Sequence, residues 1–514
     1  MTALAGMWPV RPLKIGLLLL FLLVIVRLGW MADDAYISFR SVWNWVHGYG
    51  LTWNPVERVQ AFSNPLWVLL IAAAFRITGE LYLTAMTVSI VVTVLAVALV
   101  LARLARTLPQ ALAFVVVLLS AQAILDFSTS GLENPLSFLL AATFCVLWLP
   151  STSGERPVFR LFLTGGLMAL NRLDLIVLVA PALALVLLTD KGAGLWRRAA
   201  WGLLPLLVWE AFSIVYYGFP FPNTYYAKLA TGIPRSAYLE QGLLYLLDAA
   251  VRDPGLVMTV VLGTVIGGRG HARRPLALGV LLYVAYVVSA GGDFMQGRFL
   301  TAPAFVAAIL LTTAEPSTAR PSLPAAAALA QPLPLALAAL VLLAAGTRVV
   351  GSEVGDPPIR ANGVANERNF YVAHTGLIFH SRDRHVPFNH PWAQEGVRMR
   401  NAPGDHLFVF NTIGFIGYAA GPTVQIVDPL ALADPFLARL PGEQPWRIGH
   451  VGRVIPDGYL ASLRSGENQL TSPRLRELYD NLQLITRGPL FTEARWAAIW
   501  RMNAGIWRTP DAAR

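Results

Sequence analysis

Long apolar runs separated by short polar clusters dominate the first 350 positions, and they predict helices. Stretches near 13–31, 81–103, 109–126, 133–149, 157–171, 173–189, 198–216, 253–267, 275–291, 296–313 and 325–349 are continuous enough, some with help from flanking residues, to cross a bilayer. The hydrocarbon core to be crossed is roughly 30 Å thick, so the pattern predicts about eleven spans. Residues 65–78 are apolar but short, and read as an interfacial or re-entrant helix. The first run follows Arg11 and Lys14, as a signal peptide would. It lacks a small-residue cleavage site and carries Arg27 near its outer end, which predicts a retained helix.

The pattern changes at Gly351, where apolar runs shorten and Asp, Asn, Pro and His become frequent. This predicts two domains, a transmembrane unit over 1–350 with a long loop at 32–80, and a soluble unit over 351–514. Within the second, His406–Asn411 and Thr423–Val427 read as strands flanking a helical turn in GFIGYAAG, an α/β or mixed arrangement.

Composition supports the membrane class: 55% of residues are hydrophobic, 14% are charged, and the mean hydropathy is +0.55. The net charge of +10 does not point to nucleic acid, because many Lys and Arg residues sit at the ends of apolar runs. Lipid headgroups and phosphate esters are the better acidic partners. Cys145 is the single cysteine, which excludes an intramolecular disulfide and a cysteine metal cluster. Basic residues in alternate short loops put the N-terminus in the cytoplasm. The loops 32–80, 127–132, 217–252 and 292–295, the turn near 172 and the C-terminal domain then lie outside.

The polar groups that invite chemistry fall in these outer loops. Asp33 and Asp34 follow the first span directly, where a carboxylate can deprotonate an acceptor hydroxyl or bind a cation. The plainer reading is that Asp33 caps an amphipathic helix over 35–47. Arg40 is placed to meet either carboxylate on that helix face, and Glu57 to pair with Arg58. Further on, SGLENP, NRLD, FPFPNTYYAK and GGDFMQGR put Glu133, Arg172, Asp174, Asn223, Lys228, Asp293 and Arg298 at or near the outer ends of spans. Charges at a membrane boundary are costly unless paired or facing a cavity. Arg298 and Lys228 are the candidates for a lipid-linked phosphate, since a guanidinium grips phosphate oxygens with two donors. In the C-terminal domain, Asp428 precedes a proline after the second strand, and RIGHVGRVIPDGY carries His450. Neither GxSxG, Walker A, HExxH nor a dinucleotide fingerprint occurs there, which disfavours ATP-driven transport and familiar hydrolysis.

In order, Ala32-Asp33-Asp34, GYGLTWNPVERVQA, TSGLENP, FPFPNTYYAKLA, GGDFMQGR, GFIGYAAG…VDPLALADP and RIGHVGRVIPDGY make the chain resemble the mycobacterial terminal β-(1→2)-arabinofuranosyltransferases of the GT-C superfamily. The resemblance covers nearly the whole chain. It implies a GT-C fold and an enzyme of the cytoplasmic (inner) membrane. It also implies transfer of arabinofuranose from decaprenyl-phosphoryl-arabinose to a cell-envelope arabinan outside the membrane. Asp33 then matches the family's catalytic carboxylate, with Asp34 beside it, and Asp293 and Arg298 match its donor contacts. We extend the donor phosphate or sugar set to Arg40, Glu57, Glu133, Arg172, Asn223 and Lys228, and give Asp428 and His450 to the acceptor or to domain contacts. The chain departs from the family in NRLD, where an Arg-Pro-Glu pattern is expected, and in a shorter C-terminal domain. The scheme commits no cofactor and no metal site, although a divalent cation is compatible with it. Its partners are the lipid-linked donor, the glycan acceptor and membrane lipid. The competing readings are a transferase for another polyprenyl-phosphate-linked sugar and a non-enzymatic lipid-sugar transporter.

Overall fold

A computed structural model describes residues 10–150, 156–190, 192–314, 359–378 and 389–504. The described chain is mostly helical. In order it forms α1 (Val10–Arg27), α2 (Asp33–Val46), α3 (Pro65–Thr78), α4 (Leu81–Arg103), α5 (Leu108–Ser120), α6 (Gln122–Asp126), α7 (Asn134–Trp148) and α8 (Val158–Asn171). Then come α9 (Ile176–Thr189), α10 (Leu195–Tyr216), α11 (Asn223–Leu229), α12 (Arg235–Arg252), α13 (Pro254–Gly267), α14 (Arg274–Ser289) and α15 (Thr301–Thr312).

Among the described residues, α4 and α10 are individually long and apolar enough to cross a membrane; α12 and α13 pass together but bend by 108° at their junction. The first predicted span appears as the 18-residue α1, and most of the others appear as shorter apolar helices. The expected 109–126 run breaks at Ala121 into α5 and α6, and the 173–189 and 296–313 runs each open on a 3-10 turn. Thr107 and Gln110 form a capping box that starts α5, and the Glu80 side chain accepts from the backbone N–H groups of Tyr82 and Leu83 to start α4. Residues 65–78 form a single helix of 14 residues, about 21 Å at 1.5 Å per residue and shorter than the bilayer core. The expected span 325–349 lies outside the described residues.

The C-terminal region contributes α16 (Glu367–Thr375), α17 (Pro391–Asn401), β1 (Leu407–Val409), α18 (Phe415–Ala420), β2 (Gln425–Val427), α19 (Tyr459–Ser465), α20 (Pro473–Arg487) and α21 (Glu493–Asn503). β1 and β2 pair in parallel, Leu407 opposite Gln425, with α18 as the crossover, so the strand–helix–strand reading of 406–427 holds. Its apolar core is shared. Trp53 and Ile37 from the first outer loop and Phe219 and Ala227 from the loop after α10 pack into the same cluster as Ile416, Val424, Leu437 and Ile499. The large first core, from α1 through α15, holds the membrane helices together.

Candidate functional site

Two cavities lie where the loops around α2, α11 and Gly291–Arg298 meet the C-terminal region. The first, about 380 Å³, is lined by Asp34, Asn64, Arg172, Asp174, Glu210, Tyr225, Lys228, Asp293 and Arg298 together with apolar groups such as Trp209, Leu206 and Phe299. The second, about 360 Å³, is lined by Asp33, Asp34, Phe294, Glu367, Phe370, Tyr371, Trp392, Asn411, Arg447 and His450. Asp34, Ile37 and Leu432 line both.

The basic end of the first cavity is built around Glu133, which has no exposed surface. Its carboxylate accepts from Arg172 Nη1 at 3.3 Å, from Arg298 Nη2 at 3.0 Å and from Asn64 Nδ2 at 2.9 Å. Arg172 also holds Asp174 at 2.6 Å, and Asp174 accepts from the Tyr283 hydroxyl at 2.6 Å. Arg298 reaches Asp293 at 3.7 Å. Buried guanidinium groups need paired carboxylates and fixed hydrogen bonds, and this network supplies both while leaving Arg172 and Arg298 on the cavity wall. Asp293 Oδ2 has no hydrogen bond among the described residues. Lys228 sits 5.4 Å from the Phe294 ring centroid and makes no ion pair among them.

Close backbone approach sets the loop that carries Asp293 and Arg298. Gly292 has φ +73°, and a Cβ there would stand 2.5 Å from the Cβ of Tyr245, so only glycine fits both the backbone and the space. Tyr245 in turn donates to the Met295 carbonyl at 3.3 Å and accepts from the Phe299 N–H at 3.2 Å.

The two adjacent aspartates have different environments. Asp33 accepts from the N–H of Phe415 at 2.7 Å and of Gly414 at 3.1 Å. It caps a helix, but the helix is α18, almost four hundred residues away in sequence, and not its own. Gly414 permits this contact, because a Cβ there would stand 1.9 Å from the Asp33 carbonyl oxygen. Burial pushes the Asp33 carboxyl up to about 7, against those two N–H bonds. Asp34 makes no hydrogen bond or ion pair among the described residues. Burial raises its carboxyl too, while Lys228 and then Arg298 pull it back. In the second cavity burial, followed by the charges of Asp34 and Asp33, holds Glu367 well above the ordinary carboxylate range. Burial and the neighbouring Arg447 keep His450 well below the usual imidazole value, so its ring is neutral.

Thus Asp33, Asp34, Arg172, Lys228, Asp293, Arg298 and His450 come together at the cavities, with Glu133 directly behind them. Arg40, Glu57, Asn223 and Asp428, which the sequence reading assigned to the site, line neither of these cavities. Arg40 meets neither Asp33 nor Asp34. It donates to the carbonyls of Trp53, Gly417 and Val424 at 2.8, 2.7 and 2.7 Å and stacks on Trp53. Glu57 pairs with Arg487, not with Arg58, whose side chain donates to the carbonyls of Tyr216, Ile485 and Gly488. Asn223 donates to the carbonyls of Ala431, Leu432 and Asp434 and accepts from Arg439. Asp428 accepts from the N–H groups of Leu430, Leu432 and Ala433. Each bond set ties outer loops or C-terminal turns in place. Sequence reasoning missed Glu367, Trp392 and Glu210; Glu210, an acidic residue inside an apolar helix, was the one with a visible signal.

The chain is 26% identical over 530 residues to the terminal β-(1→2)-arabinofuranosyltransferase of Mycobacterium tuberculosis, covering 84% of this chain and 82% of that protein. The chain resembles the terminal β-(1→2)-arabinofuranosyltransferases. The relative from Corynebacterium glutamicum is 31% identical over 337 residues, 55% of this chain and 47% of that protein. No protein-family model matches the sequence. Among solved structures, ArnT from Cupriavidus metallidurans bound to undecaprenyl phosphate aligns with a TM-score of 0.49 at 12% identity, over 81% of this chain and 85% of that one. The oligosaccharyltransferase from Archaeoglobus fulgidus, in complex with zinc and sulfate, aligns with a TM-score of 0.44 at 16% identity, over 81% and 62%.

Proposed function

We propose that this integral membrane protein is a GT-C type glycosyltransferase that moves arabinofuranose from a polyprenyl-phosphoryl-arabinose to a cell-envelope arabinan, leaving terminal β-(1→2) linkages. The similarity to named arabinofuranosyltransferases supports the reaction. One observation carries the mechanism: Asp34 lines both the cavity rich in cations and the cavity under the C-terminal region. The donor phosphate lies against Arg298, Arg172 and Lys228, and the acceptor hydroxyl approaches from the second cavity. The bond between the anomeric carbon and the phosphate oxygen breaks with its electron pair on the phosphate. The acceptor oxygen bonds to that carbon, and its proton passes to Asp34. Preorganised cations facing a leaving phosphate act where negative charge builds up, and they need no rearrangement to do so. Asp33 holds α18 over the site and does not react. Catalysis takes place on the extracytoplasmic side, with the N-terminus in the cytoplasm.

The test is transfer of radiolabelled arabinose from the lipid-linked donor to an arabinan oligosaccharide by purified protein. Product carrying a new terminal β-(1→2) residue supports the reading. Transfer of a different sugar, or vectorial movement of the lipid-linked sugar without transfer, contradicts it.

A further inference from the structure

α12 carries an apolar stripe that is exposed among the described residues. Leu239, Leu243, Leu247 and Val251 follow one another at intervals of four along the helix and are 47%, 60%, 60% and 68% exposed, with Leu244 beside them. The opposite face is sealed: Tyr238, Gly242, Tyr245, Asp248 and Ala249 are buried. A helix of a soluble protein points its leucines the other way. The direction of α12 accounts for the inversion. It meets the apolar α13 at a 108° bend, where Pro254 opens the second helix and Asp253 caps it by accepting from the Leu256 N–H at 3.2 Å. With α13 directed into the bilayer, the 108° bend lays α12 nearly in the membrane plane. Its exposed leucines then continue the lipid-facing surface of α13, where Met258, Val261, Leu262 and Val265 are also exposed.

We infer that α12 is a membrane-surface helix whose leucine face is buried among the acyl chains of the outer leaflet, and that it sets the depth of the Gly291–Arg298 loop. The occupant is bilayer lipid: an apolar stripe from Leu243 to Val251, nearly at right angles to an apolar helix and with the charged Arg235 and Glu240 exposed in its first turns, suits the boundary between headgroups and hydrocarbon. The second half of the inference follows from the sealed face. Tyr245 bonds both Met295 and Phe299, and Gly292 packs on its ring. A shift of α12 relative to the lipid therefore shifts Asp293 and Arg298 with it. This depth-setting role rests on the transferase reading, whereas the docking does not.

The experiment places a nitroxide label at Leu243→Cys in a Cys145→Ala background, in nanodiscs of phosphatidylethanolamine and phosphatidylglycerol, with Glu467→Cys as the control on the C-terminal region. Collision rates with oxygen and with a water-soluble nickel chelate are measured. The account expects the label at 243 to favour oxygen severalfold and the label at 467 to favour nickel. Equal profiles at the two positions, or a label at 243 shielded from both reagents as a second copy of the chain would shield it, overturns the docking. For the depth, Leu243→Gln with Leu247→Gln is assayed with a full-length polyprenyl donor and with a short, soluble isoprenyl donor. A roughly tenfold loss confined to the long donor supports the coupling, and equal rates of wild type and variant on the long donor overturn it. The labelling result stands whichever sugar the protein transfers.

Discussion

Two sets of buried arginines, one at the seam with the C-terminal region and one on the wall of the first cavity, are equally withdrawn from water and satisfied in different ways. At the seam, Arg40, Arg453 and Arg495 donate to backbone carbonyls of near and distant segments: Arg453 to Leu440, Val451 and Ala227, and Arg495 to Ile485, Leu490 and Tyr216. These bonds staple loops, and burial lowers the Arg40 guanidinium to about 9, that of Arg453 to about 10 against the pull of Tyr238 and Asp428, and that of Arg495 to about 10. At the cavity, Arg172 and Arg298 share Glu133 and hold Asp174 and Asp293. Arg40 and Arg172 each bond through all three guanidinium nitrogens; the difference is that Arg172 and Arg298, held by carboxylates, stand on a cavity wall, while Arg40, held by carbonyls, lines neither cavity. Burial alone therefore does not mark a functional charge; the chemistry of its partners does.

The comparison is broken most sharply at Arg298. Replacement by Met, which keeps bulk and removes charge, is expected to lower transfer by about 10²–10³-fold, the scale for losing one preorganised contact to developing charge, in protein that still purifies as a monodisperse particle. Undiminished transfer would move the phosphate elsewhere. At the seam the expectation reverses: Arg40→Met takes the side-chain donor from the Gly417 and Val424 carbonyls, Trp53 keeping Asn44, and is expected to cost about 3 kcal/mol or more of stability, read by thermal unfolding, with activity per folded molecule retained. A smaller effect, roughly tenfold in transfer or about 1.4 kcal/mol, is expected for Lys228→Met, seen mainly in KM for the donor. The smallest effect is on pH. Asp33 holds its proton to about 7 in the folded protein and to about 4 in the unfolded chain. Between these values the folded state binds more protons, so its stability falls as pH rises through that window. Asp33→Asn should flatten the dependence of melting temperature on pH over the same range.

Much of this organisation was legible in the sequence. The apolar runs gave the helices because hydrophobicity is a local property, and the strand–helix–strand at 406–427 was readable from its short apolar runs around glycines. Charges at span ends pointed to Arg172, Lys228, Asp293 and Arg298 because placing them there is costly unless something uses them. Arg40 and Asn223 were misplaced for a physical reason: their partners are backbone carbonyls, most of them hundreds of positions away, and no spacing rule encodes a carbonyl. The same holds for Asp33, whose partners are the distant N–H groups of Gly414 and Phe415, and the proposed division of labour with Asp34 leaves no mark in their adjacency. The lengths of the helices were overestimated where a break such as Ala121, or a 3-10 entry, interrupts an apolar run without changing its hydropathy.

That division of labour is tested most directly by measuring arabinose transfer for Asp34→Asn beside Asp33→Asn, each normalised to folded protein in nanodiscs. The account predicts that the Asp34 variant loses transfer by about 10³-fold or more, within the range expected for a positioned base, with an unchanged melting temperature. It predicts that the Asp33 variant melts at a shifted temperature and keeps most of its turnover. The reverse pattern, with transfer lost at Asp33 and kept at Asp34, would contradict it.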